Sequence, residues 1–115
     1  MIHASRPKTI AHAEFTGQVG IARTEITPPE GIYARLWGSA KHDVADGVHQ
    51  PLLASCIWLQ SESSPRPLVL VTLDVVAVWQ EDMERVRAAI LERFDLEPEQ
   101  LMVHPSHTHS SPMLA

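Results

Sequence analysis

"PLLASCIWLQSESSPRPLVLVTLDVVAV", residues 51–78, holds two apolar runs around a polar turn. Each run has strand length and strand composition, and "ESSPR" between them is short and polar, so the segment predicts an antiparallel hairpin with strands at about 52–60 and 67–74. The second run is nearly continuous in Val and Leu, the pattern of a strand covered on both faces. Cys56, the single cysteine, lies in the first run. It excludes an internal disulfide, and its apolar setting predicts a buried structural thiol.

Working outward, "WQEDMERVRAAILERF" (79–94) is the clearest helix. Trp79, Met83, Val86, Ile90 and Phe94 recur at helical spacing, and Glu81 with Arg85 and Glu84 with Arg87 are placed to pair on the wet side. "DLEPEQ" ends the helix, and "LMVHPSHTH" starts a final strand at about 101–107. Strand, helix and strand with a short return make a right-handed crossover, so this strand is expected parallel to and beside the one ending at Asp74. Upstream, "QVGIARTEIT" alternates as a strand that Pro28 and Pro29 stop, because proline cannot donate to a ladder. Val19, Ile21, Arg23 and Glu25 share one of its faces. Residues 30–50 have no clean period and contain Gly31, Gly38 and Gly47. They predict a long loop, with Tyr33 and Trp37 favouring an ordered one. Residues 1–17 are polar and aperiodic, the pattern of a flexible leader. The expected fold is α/β, a mixed sheet in which an antiparallel hairpin precedes a βαβ crossover.

At 115 residues the chain suits one core and not two domains. A formal charge of −5 with no basic block disfavours nucleic acid and anionic membrane as partners. No stretch approaches the roughly 18–20 apolar residues needed to span a bilayer. The first residues lack the apolar region of a secretory signal, which predicts a cytoplasmic protein if this start is native.

The chemistry concentrates in "VHPSHTHSSPMLA" (103–115), which holds three of the seven histidines. On a strand, His107 and His109 point to the same face, and His104 by parity to the other. Paired imidazoles are good zinc ligands, and an open zinc site acidifies bound water. The end of a strand is also where α/β sheets hold active sites. His-x-His also occurs in solvated strands with no ligand role, and a catalytic zinc needs about three protein ligands. By itself, then, the motif is half of a possible site. Asp74 ends an apolar strand and needs a partner, so it either orients an imidazole or caps a loop. His42 and His49 lie in the long loop. Ser106, Ser110 and Ser111 flank the histidines without a G-x-S-x-G elbow, which disfavours a serine hydrolase.

Four segments, in order, resemble the N-terminal part of the neutral/alkaline (non-lysosomal) ceramidase family: "VGIARTEITPPEG", "GVHQPLLASCIWL", "PLVLVTLDVVAV" and "HTHSSP". The last is close to the family's His-Thr-His-Ser-Gly-Pro signature, with Ser111 where glycine is usual. The first resembles the family's Gly-x-Ala-x-x-Asp-Ile-Thr-Pro opening, with Glu25 for aspartate. The resemblance implies that residues 18–115 are the N-terminal part of a zinc-dependent amidohydrolase that cleaves the N-acyl bond of ceramide to sphingosine and a fatty acid. It maps a zinc ligand onto His107 and a catalytic histidine beside the metal onto His109. The family's other ligands, a histidine, a glutamate and a tyrosine, come from later sequence, which implies that this chain carries part of the active site. It further implies a sheet face left without cover, expected around Val69, Val71 and Val103. Two rival readings stay open: a non-catalytic metal-binding or scaffold domain of the same fold, and another His-x-His metallohydrolase.

Overall fold

The hairpin at the centre of the sequence is the centre of the fold. The computed structural model describes residues 11–36 and 38–112. Its elements are β1 (Gly17–Glu25), β2 (Leu53–Ser61), β3 (Leu68–Leu73), α1 (Gln80–Phe94), a 3-10 turn at Pro98–Gln100 and β4 (Leu101–Pro105). They form one four-stranded mixed sheet in the order β1-β2-β3-β4. β2 pairs antiparallel with both β1 and β3, while β4 lies parallel to β3. The hairpin turn is closed by Gln60, whose Nε2 donates to the Ser64 carbonyl at 2.6 Å. The expected leader meets β1 at Gly17, after residues 11–16 without regular structure; its first ten residues, like Trp37, lie outside the described part.

Strand register decides which side chains share a face. Gly20, Trp58, Val69 and Leu101 make one row across the sheet, and Ala22, Cys56, Val71 and Val103 the next. This face is the one α1 covers. Val69, Leu96 and Leu101 form the buried core there, with Trp58, Cys56, Val71, Val103, Ile90 and Leu91 packed against it. Full burial of a large apolar side chain stabilises by about 1.5–3 kcal/mol, so these few residues hold the crossover in place.

The other face carries Ile21, Ile57, Leu70 and Met102 in a single row. It is open: Ile21 is 70% exposed and Met102 57%. An uncovered face was expected around Val69, Val71 and Val103, but those residues lie under the helix. The open face is the opposite one, because the crossover returns over the Val69–Leu101 row. For the same reason β3 is covered on one face only, with Leu68 exposed on the other.

Helix α1 also departs from the sequence expectation at its edges. Ile90 and Leu91 reach the core, whereas Trp79 and Phe94, at the ends of the apolar stripe, are exposed. Phe94 meets Trp58 edge to face at 6.0 Å between ring centroids. The expected pairs Glu81–Arg85 and Glu84–Arg87 do not form. Arg85 pairs with Asp82, and Gln80 donates to Glu84. Arg87 instead donates to the carbonyls of Leu101 at 2.7 Å and Pro98 at 3.0 Å, tying the helix to the start of β4. Asp95 closes the helix in the left-handed region, with φ 51°. Buried Gln100 fixes the return by donating to the Pro67 carbonyl at 2.8 Å and accepting the Glu97 N–H at 3.0 Å. Among the described residues no helix is long and apolar enough to cross a membrane.

Two measurements check this packing. In urea denaturation, Leu101→Ala should cost about 2–5 kcal/mol, as buried leucines do, while Ile21→Thr on the open face should stay within about 0.5 kcal/mol. Comparable losses at both would mean that the open face is buried in solution. Cys56 is half-buried beside Val71, and burial pushes its thiol up from the ordinary value. Alkylation at mildly alkaline pH should therefore be slower in the folded chain than in urea, because the thiolate is the reacting form.

Candidate active site

The parallel pair β3–β4 ends level, with Leu73 opposite Pro105. Everything beyond that line is loop, and the loops hold one another. Asp74 and Leu53 clasp in both directions: the Asp74 N–H donates to the Leu53 carbonyl, and the Asp74 carboxylate accepts the Leu53 N–H at 2.9 Å. Of the two roles expected for Asp74, the structure gives it the cap. The Ser106 N–H then donates to the Leu73 carbonyl at 2.8 Å, and the His107 N–H to the Val75 carbonyl at 3.1 Å. Val76 is held on both sides. Its N–H donates to the buried hydroxyl of Ser111 at 2.9 Å, and its carbonyl lies 2.7 Å from His107 Nδ1.

That last contact fixes the chemistry of the ring. A carbonyl oxygen only accepts, so Nδ1 carries the hydrogen, and the neutral imidazole keeps its lone pair on Nε2. Histidines that bind metal commonly donate their second ring N–H to a carbonyl or carboxylate in this way.

The expected strand geometry does not bring His107 and His109 together. β4 stops at Pro105, and His107 has φ 62°, a left-handed conformation that costs a residue other than glycine about 1–3 kcal/mol. The turn, not strand alternation, brings the rings into edge-to-face contact, with centroids 5.1 Å apart. The failure follows from the proline: without an N–H at 105 and with a turn beyond it, strand parity has no meaning at 107. His104 does lie on β4, on the face opposite Val103. Both its ring nitrogens are engaged, Nε2 with the Thr72 hydroxyl at 3.0 Å and Nδ1 with the Pro105 carbonyl at 3.3 Å.

A cavity of about 380 Å³ opens beside this loop. Pro29, Ile32, Val48 and His49 of the long loop line it together with Thr108 and Ser110, which flank His109 in sequence. Asp74 also reaches it. Of the two long-loop histidines, His49 lines the cavity and His42 does not. The long loop is ordered by its own contacts, as its aromatic residues led one to expect. Tyr33 bridges to Val44, the Ala34 N–H donates to the Asp43 carbonyl at 2.7 Å, and Arg35 pairs with Asp43 at 3.2 Å. Its ends are joined where Thr27 Oγ1 accepts the Leu52 N–H at 2.9 Å. Among the described residues no three histidine, cysteine or acidic side chains are grouped to hold a metal. His107 and His109 stand together there without a third such side chain. Sequence reasoning had no signal for the Val76 carbonyl, and it marked Ser111 only as a departure from a signature.

No protein-family model and no curated protein matches the chain. Solved structures do. A neutral ceramidase from Pseudomonas aeruginosa superposes with a TM-score of 0.72 at 21% identity, over 88% of this chain and 16% of that one. The chain has the fold of part of neutral ceramidase. A ceramidase complexed with C2 matches similarly, with a TM-score of 0.66 at 24% identity, over 87% of this chain and 16% of its own. The sequence resemblance thus holds at the level of fold, over a small share of the length of either structure.

The Asp74 clasp is directly testable. Asp74→Ala leaves the Leu53 N–H without its acceptor and should cost about 1–3 kcal/mol in chemical denaturation. Asp74→Asn keeps an acceptor oxygen and should lose much less. Equal losses would mean that the carboxylate's charge, and not the cap, is what matters.

Proposed function

We propose that this chain supplies the histidine side of a zinc-dependent amidohydrolase resembling neutral ceramidase, which cleaves the N-acyl bond of a ceramide-like lipid to sphingosine and a fatty acid. The observation that carries the reading is the His107 ring, whose Nδ1–H is taken by the Val76 carbonyl so that Nε2 is left as the donor atom. This arrangement fits a zinc ion, and His107 would hold it through Nε2. When bound, zinc polarises an amide carbonyl and brings the ionisation of water to near neutral pH.

The chain's own residues have separate tasks. His109, in edge contact with His107, lies next to the metal position and would exchange a proton with, or donate a hydrogen bond to, the reacting amide. Pro29, Ile32 and Val48 give the cavity an apolar wall for part of an acyl or alkyl chain, and His49 gives it a polar group that could orient the amide. His104 has no part in the reaction, since both its nitrogens are occupied on the sheet face. The remaining zinc ligands would come from polypeptide beyond this chain, which spans 16% of its structural neighbours. A non-catalytic domain of the same fold is the second reading.

Three variants of the whole protein separate these roles. His107→Ala should abolish both zinc retention and hydrolysis of N-acyl amides. His109→Ala should lose most of the activity and keep much of the metal, and His104→Ala should change neither greatly. Metal analysis and amide turnover read out all three. Full activity in His107→Ala would end the zinc reading, and zinc retained without turnover in the unsubstituted protein would support the non-catalytic one.

A further inference from the structure

Ser111 is the most deeply buried residue of the histidine loop, at 2% exposure, and its hydroxyl accepts the Val76 N–H at 2.9 Å. The next peptide unit carries the Val76 carbonyl, which lies 2.7 Å from His107 Nδ1. Val76 is itself buried, and it follows the end of β3 as unpaired chain. Without the hydroxyl, its N–H would have no partner in a place closed to solvent, and the chain between Asp74 and Val78 would shift to find one. Such a shift would carry the carbonyl away from the imidazole.

We propose that Ser111 is a positioning residue: its buried hydroxyl holds Val76 in place and, through the Val76 carbonyl, sets the tautomer and direction of the His107 ring. This rests on the reading of His107 as a metal ligand. It adds that the ligand atom is chosen by a side chain four residues further along, which never meets the metal. Ser111 also ties the end of the loop back to the end of β3, so the strained turn at His107 is held on both sides.

The experiment compares Ser111→Ala with Ser111→Gly in the full chain. Alanine removes the acceptor and leaves a methyl group that blocks a replacement. Glycine vacates about the space of one water, which could accept the Val76 N–H instead. Two-bond proton–nitrogen correlations of labelled histidine, recorded without metal at about pH 8.5, above the ordinary imidazole range, report which ring nitrogen carries the hydrogen. The unsubstituted chain should show His107 as the Nδ1–H tautomer alone, and Ser111→Ala should give a mixture with Nε2–H. Ser111→Gly should return it to Nδ1–H. A merely structural role predicts the reverse order of the variants, since glycine leaves the larger hole. Zinc affinity of the whole protein should fall roughly 10–100-fold in Ser111→Ala, the usual cost of losing a partner behind a ligand, and less in Ser111→Gly.

If Ser111→Ala fails to fold, Ser111→Cys, a weak acceptor of similar shape, should shift the tautomer in the same direction. A pure Nδ1–H ring in Ser111→Ala, or an Nε2–H ring in the unsubstituted chain, overturns the proposal. The tautomer is measured without metal, so loss of positioning is distinguishable from failure of the zinc reading, which would appear as full zinc retention in His107→Ala.

Discussion

The contact between His107 Nδ1–H and the Val76 carbonyl, 2.7 Å long, joins the two loops that leave the parallel strands. One loop follows β3 and the other follows β4, and neither belongs to a regular element at that point. Their relative position is set by a short series of hydrogen bonds from Leu73 to Ser111. This series converts the level ending of β3 and β4 into a fixed direction for one imidazole. The left-handed backbone at His107 is tolerated because the His107 N–H and ring both have partners across the gap. Strain held by surrounding contacts is a common feature of functional loops.

The sheet makes this possible through register. Parallel pairing of β3 with β4 requires the crossover helix, and α1 is locked on by Arg87 at the β4 end and by the apolar cluster around Val69. The antiparallel β1 and β2 add width and bring the ends of the long loop together at Thr27 and Leu52. The long loop then lies where it can wall a cavity beside the histidines. The face with Ile21, Ile57, Leu70 and Met102 plays no part in this, and its exposure is the other main feature of the chain. Two-layer packing normally covers such a face.

The hairpin, the crossover and the long loop were legible because each rests on local pattern: run length, a polar turn, helical spacing and glycine content. Which face α1 covers was not, since the apolar residues of β3 occupy both faces and only the return path chooses between them. Helix pairing failed at Arg87 because two backbone carbonyls outside the helix compete for its guanidinium. At the site, the sequence placed His107 and His109 together for a reason that does not hold beyond Pro105. Their meeting depends on a turn with φ 62° at His107, a conformation that the residue type allows but does not announce. The Val76 carbonyl was invisible, because a backbone acceptor leaves no mark in the residue type. Asp74 was half legible: the need for a partner was plain, but the choice between an imidazole and the Leu53 N–H depends on the β2–β3 register.

The central claim is that His107 offers Nε2 to a metal while Val76 keeps its Nδ1–H. Zinc titrated into the whole protein, followed at the ring nitrogens of labelled His107, tests it most directly. The account predicts that the Nε2 resonance moves as zinc binds and that the Nδ1–H remains in place. Metal bound through Nδ1, or zinc bound with no change at His107, would contradict it.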